Sequence, residues 1–150
     1  MTEILPNQLY LGDLALIVVN PDFFIQGQFN DLINVANEVN YPHRVQQLLS
    51  QHKIMQSKFS MYDTQDYNIE HVVYDATQYI HLMISSGLKV YVHCAMGISR
   101  SATIVIAYLI LYKNMSYEEA YQFVKQKRPW IHPNPRFVQD LKSLKPINSQ

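Results

Sequence analysis

Cysteine and net charge are both scarce in this sequence of 150 residues. It contains one cysteine, Cys94, and its 12 acidic residues balance its 12 basic ones. A single cysteine excludes an intrachain disulfide and a zinc site built from several cysteines, and it is consistent with a reducing compartment. The balanced charge provides no general attraction to nucleic acid or to an anionic membrane. We therefore expect neither nucleic acid nor a membrane among the partners.

Signals for metal ions, nucleotides, membrane insertion and export are also missing. The histidines other than His93 follow no metal-ligand spacing, and no G-x-x-x-x-G-K-[ST] phosphate loop occurs. The apolar run at residues 102–111 is shorter than the about 20 residues that a membrane span requires. The opening Met1-Thr2-Glu3 does not resemble a signal peptide. We expect a protein without metal or cofactor, located in the cytoplasm and with access to the nucleus.

The composition and the hydrophobic pattern predict a single folded domain over residues 1–150. Hydrophobic residues make up 48% of the chain and charged residues 16%, which is typical of a globular protein. Strands and helices alternate along the chain, which favours an α/β fold. We expect a central mixed, mainly parallel sheet of about four to five strands flanked by helices. The predicted strands are 8–11, 32–36, 56–61 and 88–93, and the predicted helices are 21–28, 69–86, 102–113, 116–126 and 134–144.

Two stretches carry weaker or local signals. Residues 37–53 show no clear periodicity and receive no assignment. Ser116 and Glu119 form the spacing of a capping box at the start of a helix. The basic residues Lys125, Lys127 and Arg128 are interpreted as favouring the carboxyl end of that helix.

The segment around Cys94 carries most of the functional signal. Residues 92–101 read VHCAMGISRS and lie between a predicted buried strand and an apolar predicted helix. Free N–H groups of such a loop and of the following helix bind anions, and their field favours a cysteine thiolate. The planar guanidinium of Arg100 grips two phosphate oxygens, and Gly97 gives the turn its conformational freedom. We predict a nucleophile at Cys94 and a phosphate site formed by Ala95, Met96, Gly97, Ile98, Ser99 and Arg100.

The two neighbours of this loop receive supporting roles. His93 is expected to bond the loop backbone and to fix the orientation of Cys94. Ser101 is expected to cap the following helix, a role that is compatible with a part in catalysis.

The loop matches H-C-x(5)-R-[ST], the signature of the cysteine-dependent protein phosphatases, and residues 93–102 resemble the dual-specificity phosphatases in particular. The resemblance extends over nearly the whole chain. Residues 4–12 (ILPNQLYLG) and 32–36 (LINVA) are similar to the first two strands of that family, and residues 128–134 (RPWIHPN) to the turn before its last helix. The resemblance implies a phosphatase-like fold.

The resemblance also places a general acid at Asp63, within the segment Tyr62-Asp63-Thr64-Gln65-Asp66. The chemistry requires such a group, because a departing alkoxide or phenoxide must be protonated. Asp66 is the alternative acid, and both aspartates are also compatible with solvated turn residues.

The resemblance further implies a phosphocysteine mechanism on phosphorylated proteins. Cys94 would attack phosphorus, Asp63 would act as general acid and then as base, and Ser101 would assist the departure of the thiolate. The short chain leaves no room for the loop that deepens the pocket of tyrosine-specific relatives, so we expect phosphoserine and phosphothreonine as well as phosphotyrosine substrates, and a monomer. Three alternatives remain: a phosphatase of phosphoinositides or RNA 5′-phosphates, a non-catalytic phospho-binding adaptor, and a rhodanese-like sulfur transferase.

Two positions depart from the family pattern. Met96 stands where many relatives carry alanine, and Arg136 replaces a glycine beside Asn134. Neither change removes a catalytic group, so both are expected to bear on substrate preference.

Overall fold

The structure, a computed structural model, describes residues 1–147. Five strands form one sheet in the order β1-β2-β5-β3-β4. The β1–β2 pair is antiparallel and the other three pairs are parallel. This mixed, mainly parallel sheet confirms the predicted fold class. The strands are β1 (Thr2–Leu5), β2 (Leu9–Gly12), β3 (Asp31–Ala36), β4 (Met55–Met61) and β5 (Val90–His93).

Helices cover both faces of the sheet. They are α1 (Leu14–Val19), α2 (Asp22–Gln26), α3 (His43–Gln51), α4 (Glu70–Ser85), α5 (Arg100–Tyr112), α6 (Tyr117–Lys127) and α7 (Pro135–Lys142). Within the described part of the chain, none of these helices has the length and apolar character needed to cross a membrane.

The sheet separates two hydrophobic clusters, because successive side chains of a strand point to opposite faces. In β5, Val90 and Val92 join the larger cluster with α4 to α7, whereas Tyr91 joins the smaller one with α1 to α3. Helix α5 lies at the centre of the larger cluster, and every residue from Arg100 to Leu111 is buried. Its first turn is therefore held firmly at the carboxyl end of β5.

Three elements were not predicted, and each has a weak local signal. Strand β1 has only four residues. Helix α1 has the sequence LALIVV, which is apolar throughout and shows no helical period, and its start depends on the side chain of Asp13 capping Leu16. Helix α3 lies in the unassigned stretch 37–53, and only Val45 and Leu49 of its residues are buried. Packing against the sheet selects these elements.

The cap predicted for the helix after the loop is wrong. Helix α5 begins at Arg100, so Ser101 lies inside its first turn, and Ser99 at the cap position makes no side-chain capping bond. The predicted capping box of α6 is confirmed, since Ser116 and Glu119 form it.

The carboxyl ends of three neighbouring parallel strands meet at one edge of the sheet. Cys94 follows β5 directly, Asp63 lies two residues beyond β4, and Glu38 lies two residues beyond β3. Ligands of open α/β sheets bind at this edge.

Candidate active site

The loop 94–99 turns sharply between β5 and α5, and Gly97 makes that turn possible. Its φ is +68°, which L side chains rarely adopt. A Cβ at this position would also lie 2.6 Å from the carbonyl oxygen of Gly12. The loop therefore requires glycine both for its backbone conformation and for its close approach to β2.

Five consecutive carbonyl groups of the loop, from residue 94 to residue 98, accept hydrogen bonds from the surrounding protein. Because the C=O and N–H of a trans peptide point in opposite directions, the N–H groups of residues 95–99 face away from these donors. The bonds are His93 Nδ1 to Cys94 O at 3.0 Å, Leu14 N to Ala95 O at 3.1 Å, Arg128 Nη2 to Met96 O at 3.4 Å, Arg128 Nε to Gly97 O at 2.9 Å, and His132 N to Ile98 O at 2.8 Å.

The sulfur of Cys94 accepts a hydrogen bond from one of these N–H groups and a second contact from a serine hydroxyl. The thiol is 3% exposed, and its Sγ accepts from the N–H of Gly97 at 3.2 Å. The hydroxyl of Ser101 lies 3.1 Å from the same sulfur. Both contacts, together with the amino end of α5, stabilise negative charge on the sulfur.

His93 is held between Cys94 and Tyr41 as a neutral ring. Its Nδ1 lies 3.0 Å from the carbonyl oxygen of Cys94, which can only accept, so Nδ1 carries the proton. Its Nε2 then accepts from the hydroxyl of Tyr41 at 2.6 Å. Burial lowers the pKa of His93 to about 4 and raises the pKa of Tyr41. The placement agrees with the predicted contact between His93 and the loop backbone.

The guanidinium of Arg100 is fixed by Glu38 yet keeps one edge free. Both Nη atoms donate to the Glu38 carboxylate at 2.7 Å, and Nη1 also donates to the carbonyl oxygen of Met61 at 3.1 Å. The hydrogen bond from Arg100 lowers the pKa of Glu38 to about 2. Of the five donors, Nε–H and the second Nη2–H lie on the same side and have no acceptor among residues 1–147. That edge has the geometry for two oxygens of one phosphate.

Asp63 reaches the site from the loop after β4. Its Oδ1 accepts from Ser99 Oγ at 3.0 Å and from Asn134 Nδ2 at 2.8 Å. The Oδ2 atom has no such bond in the described part of the chain. Asp66 is exposed and does not line the cavity that Asp63 lines.

A cavity of about 390 Å³ joins these groups. Met96, which is 65% exposed, stands at its rim. Arg136 is not part of the lining, because its guanidinium pairs with Asp140 one turn along α7. The lining comprises Asp63, Gln65, Cys94, Ala95, Met96, Ile98, Ser99, Arg100, His132, Asn134 and Pro135.

Three side chains that support this site were not predicted from the sequence. Glu38 had a signal that was not used, namely its position just after a parallel strand. Asn134 was considered only as part of a turn. Arg128 was interpreted as a helix-end residue, and although it does follow α6, its guanidinium lies beneath the loop. Among residues 1–147, no group of three or more potential metal ligands lies together.

A family model described as the dual specificity phosphatase catalytic domain matches residues 9–146. The chain belongs to the dual-specificity phosphatase family. It therefore carries the catalytic domain of a class of protein phosphatases, which are hydrolases.

Several protein phosphatases and predicted phosphatases resemble the chain over almost its full length. It is 36% identical over 143 residues to a probable rhodanese domain-containing dual specificity protein phosphatase of Dictyostelium discoideum, covering 94% of this chain and 28% of that protein. It is 34% identical to the putative tyrosine phosphatase 123R of Invertebrate iridescent virus 6, covering 93% and 88%. With mouse dual specificity protein phosphatase 15 the identity is 33%, covering 100% and 60%. The chain thus spans less than two thirds of the length of two of these three relatives.

Solved structures agree with this family assignment. The crystal structure of DUSP15 superposes with a TM-score of 0.80 at 27% identity, covering 95% of this chain and 85% of that one. The human tyrosine phosphatase-like serine/threonine/tyrosine-interacting protein also superposes with a TM-score of 0.80, at 28% identity, covering 95% and 93%.

Proposed function

We propose that this protein hydrolyses phosphotyrosine, phosphoserine and phosphothreonine in proteins through a phosphocysteine intermediate on Cys94. The observation that carries the proposal is the position of the Cys94 sulfur. It is hydrogen-bonded to the backbone N–H of Gly97 and to Ser101 Oγ, in a cavity that Arg100 and Asp63 also line.

In the first step the Cys94 thiolate attacks phosphorus in line. An S–P bond forms while the bond from phosphorus to the ester oxygen breaks. The loop N–H groups and the free edge of Arg100 hold the three remaining oxygens and stabilise their charge. Protonated Asp63 donates its proton to the leaving oxygen, and its Oδ2 is the atom left free by the bonds from Ser99 and Asn134.

In the second step water attacks the phosphocysteine. Asp63 accepts a proton from the water, the S–P bond breaks, and inorganic phosphate leaves. The Ser101 hydroxyl, 3.1 Å from the sulfur, donates to the departing thiolate and makes it a better leaving group. Each residue that the signature provides therefore has a separate task.

The charge of the cavity favours phosphomonoesters of proteins over more highly charged substrates. Arg100 is the single lysine or arginine in its lining. A phosphoinositide headgroup or an RNA 5′-triphosphate would place further phosphates near neutral side chains such as Met96 and Gln65. The names of two relatives, a putative tyrosine phosphatase and a dual specificity protein phosphatase, support a protein substrate.

A phospho-binding adaptor is the second candidate. It is supported by the likeness to a tyrosine phosphatase-like protein whose name describes it as interacting with serine, threonine and tyrosine. Binding and hydrolysis share the loop and Arg100, so the difference depends on whether Cys94 and Asp63 act on the bound phosphate. Their joint placement in one cavity favours turnover.

Hydrolysis of a small aryl phosphate in the presence of a chelator tests the proposal. We expect Cys94→Ser to abolish turnover and Asp63→Asn to lower kcat by about 10²-fold or more, since that is the usual contribution of a general acid. Asp66→Asn is the matched control and should retain the activity of the parent. Acid-quenched parent enzyme should carry a phosphoryl group on Cys94, detectable by mass spectrometry.

The outcome that contradicts the proposal is a parent protein that binds a phosphotyrosine peptide but does not hydrolyse it, which would establish the adaptor. An equal loss of kcat in Asp63→Asn and Asp66→Asn would contradict the assignment of Asp63 as the general acid. Parallel assays on phosphotyrosine and phosphothreonine peptides test the substrate range. A monomeric state and a cytoplasmic location with access to the nucleus stay predictions, for sedimentation and fluorescence imaging to test.

A further inference from the structure

Arg128 is a buried cation that the mechanism above does not use. It is 3% exposed, and no carboxylate lies within ion-pair distance of its guanidinium among residues 1–147. Burial lowers the pKa of Arg128, while the electrostatic influence of Tyr91, Asp13 and Cys94 opposes that effect. Since a buried charge without compensation is costly, its hydrogen bonds must replace the lost hydration.

Those hydrogen bonds go mainly to the loop 94–99. Nε donates to the carbonyl oxygen of Gly97 at 2.9 Å, and Nη2 donates to the carbonyl oxygen of Met96 at 3.4 Å. On the other side, Nη1 donates to Thr2 Oγ1 of β1 at 3.0 Å. The ring of Trp130 lies 4.9 Å from the guanidinium carbon and covers it. One side chain thus links the loop to the edge of the sheet.

We propose that Arg128 is a positioning residue that orients the peptide units 96–97 and 97–98 toward the phosphate and the sulfur. The inference rests on the proposed function of the same site. Because each peptide is trans, holding the carbonyls of Met96 and Gly97 from beneath turns the N–H groups of Gly97 and Ile98 toward the cavity. The first of these N–H groups already donates to Cys94 Sγ at 3.2 Å.

Arg128 acts through the loop and not by touching the substrate, since it does not line the cavity. Its positive charge polarises both peptide units in the direction that strengthens their N–H groups as donors. The close approach also explains part of the need for glycine at position 97, where a Cβ would lie 2.5 Å from Arg128 Nη2.

The test compares Arg128→Met, which removes the charge and the donors, with Arg128→Lys, which keeps the charge but not the fork. Lys125→Met is the matched control, because Lys125 is a cation of the same helix end that bonds the carbonyl of Ile131 and not the loop. Three quantities are measured: kcat/KM on an aryl phosphate, the dissociation constant of inorganic vanadate, and the pH at which alkylation of Cys94 is half-maximal.

For Arg128→Met we expect kcat/KM to fall by about 10²-fold, since small misplacements of a site have effects of that size. Alkylation of Cys94 should become half-maximal at a higher pH, because a positive charge near the thiolate is lost. Arg128→Lys should weaken vanadate binding by about tenfold while keeping the alkylation profile of the parent. Lys125→Met should leave all three quantities unchanged.

The inference is overturned if folded Arg128→Met retains the vanadate affinity and the alkylation profile of the parent, or if Lys125→Met changes them equally. If Arg128→Met does not fold, the vanadate affinity of Arg128→Lys decides the question. A dissociation constant equal to that of the parent would then reject the inference. Vanadate binding and alkylation require no turnover. A parent that hydrolyses nothing would therefore overturn the proposed function while Arg128 is still judged by these two measurements.

Discussion

Gly97 and Gly87 both have left-handed backbone conformations, but only one of them has close neighbours. Their φ values are +68° and +80°. A Cβ on Gly97 would lie 2.5 Å from Arg128 Nη2 and 2.6 Å from the oxygen of Gly12, whereas a Cβ on Gly87 would meet nothing within 4 Å. Alanine substitutions at the two positions therefore separate the effect of backbone strain, which both share, from the effect of close packing, which only Gly97 has.

We predict that Gly97→Ala lowers kcat/KM by more than about 10²-fold, because the loop must move to relieve the contacts. Gly87→Ala should keep the activity of the parent and lose only about 1–2 kcal/mol of the free energy of unfolding, the cost of a left-handed L residue. Steady-state kinetics and urea unfolding measure both effects. Parent-like activity in Gly97→Ala would show that the loop geometry is not critical.

Ser101 is the residue whose sequence-based interpretation changed most in the structure. A serine at the start of a helix is a common cap, yet this one points its hydroxyl at the Cys94 sulfur from inside the first turn. The signature motif indicated a catalytic part through resemblance alone. The contact distance gives that part a physical basis.

Ser101→Ala should slow the second step selectively, because the departing thiolate loses a hydrogen bond that the attacking thiolate needs less. We expect kcat to fall by about tenfold, the value of one such bond of about 1.4 kcal/mol, with kcat/KM nearly unchanged. Stopped-flow measurement should show a burst of released phenol as phosphocysteine accumulates. A loss of kcat/KM equal to the loss of kcat would place Ser101 in the first step instead.

At the scale of elements, the first turn of α7 connects helix capping with the position of Asp63, the proposed general acid. The Oδ1 atom of Asn134 caps the helix by accepting from Phe137 N at 3.0 Å. The Nδ2 atom of the same amide donates to Asp63 at 2.8 Å, and the Asn134 N–H donates to Ser99 Oγ. One side chain therefore joins α7 to the loop after β4.

Substitutions at Asn134 separate these two tasks. Asn134→Ala should lose about 1 kcal/mol of stability with the cap, and it should also lower kcat because Asp63 is less well held. Asn134→Ser keeps a capping oxygen, so it should regain most of the stability but not the activity. Thermal unfolding and aryl phosphate kinetics distinguish the two effects, and full activity in Asn134→Ser would show that Asp63 needs no such support.

The boundaries of elements show where sequence patterns are informative. The long amphipathic helix α4 and the almost entirely buried helix α5 were predicted within about two residues, because their apolar patterns are strong. Helices α1 and α3 were not, since one has no periodicity and the other buries only two side chains. Their contacts with the sheet provide what the local sequence does not.

At the scale of the whole molecule, the buried His93 makes stability depend on pH. Its pKa is lowered to about 4 by burial, from an ordinary value of 6.5. The unfolded chain therefore binds a proton on this residue at a higher pH than the folded protein does. The free energy of unfolding therefore has its full value above about pH 6.5, where His93 is neutral in both states, and it decreases as the pH falls toward 4.

We expect the free energy of unfolding to decrease by about 3 kcal/mol between pH 7 and pH 4 through this residue, in proportion to the shift of its pKa. Urea unfolding followed by Trp130 fluorescence at a series of pH values measures the decrease. His93→Asn should remove this component of the slope, whereas the exposed His52→Asn should retain it. Parallel curves for the parent and His93→Asn would contradict the prediction.

The sequence by itself predicted the chemistry that we propose for the site, because cysteine, glycine and arginine lie within one loop whose spacing is a local property of the chain. The α/β class was also determined, since hydrophobic periods are local. Asp63 was also predicted, through the family resemblance, but only the tertiary structure decided its contacts and added Glu38 and Arg128 to the site. The order of the parallel strands and the packing of α6 bring these groups to the loop, and no local pattern encodes such contacts. Long-range proximity arises from burial of the whole core, which is a property of the assembled fold.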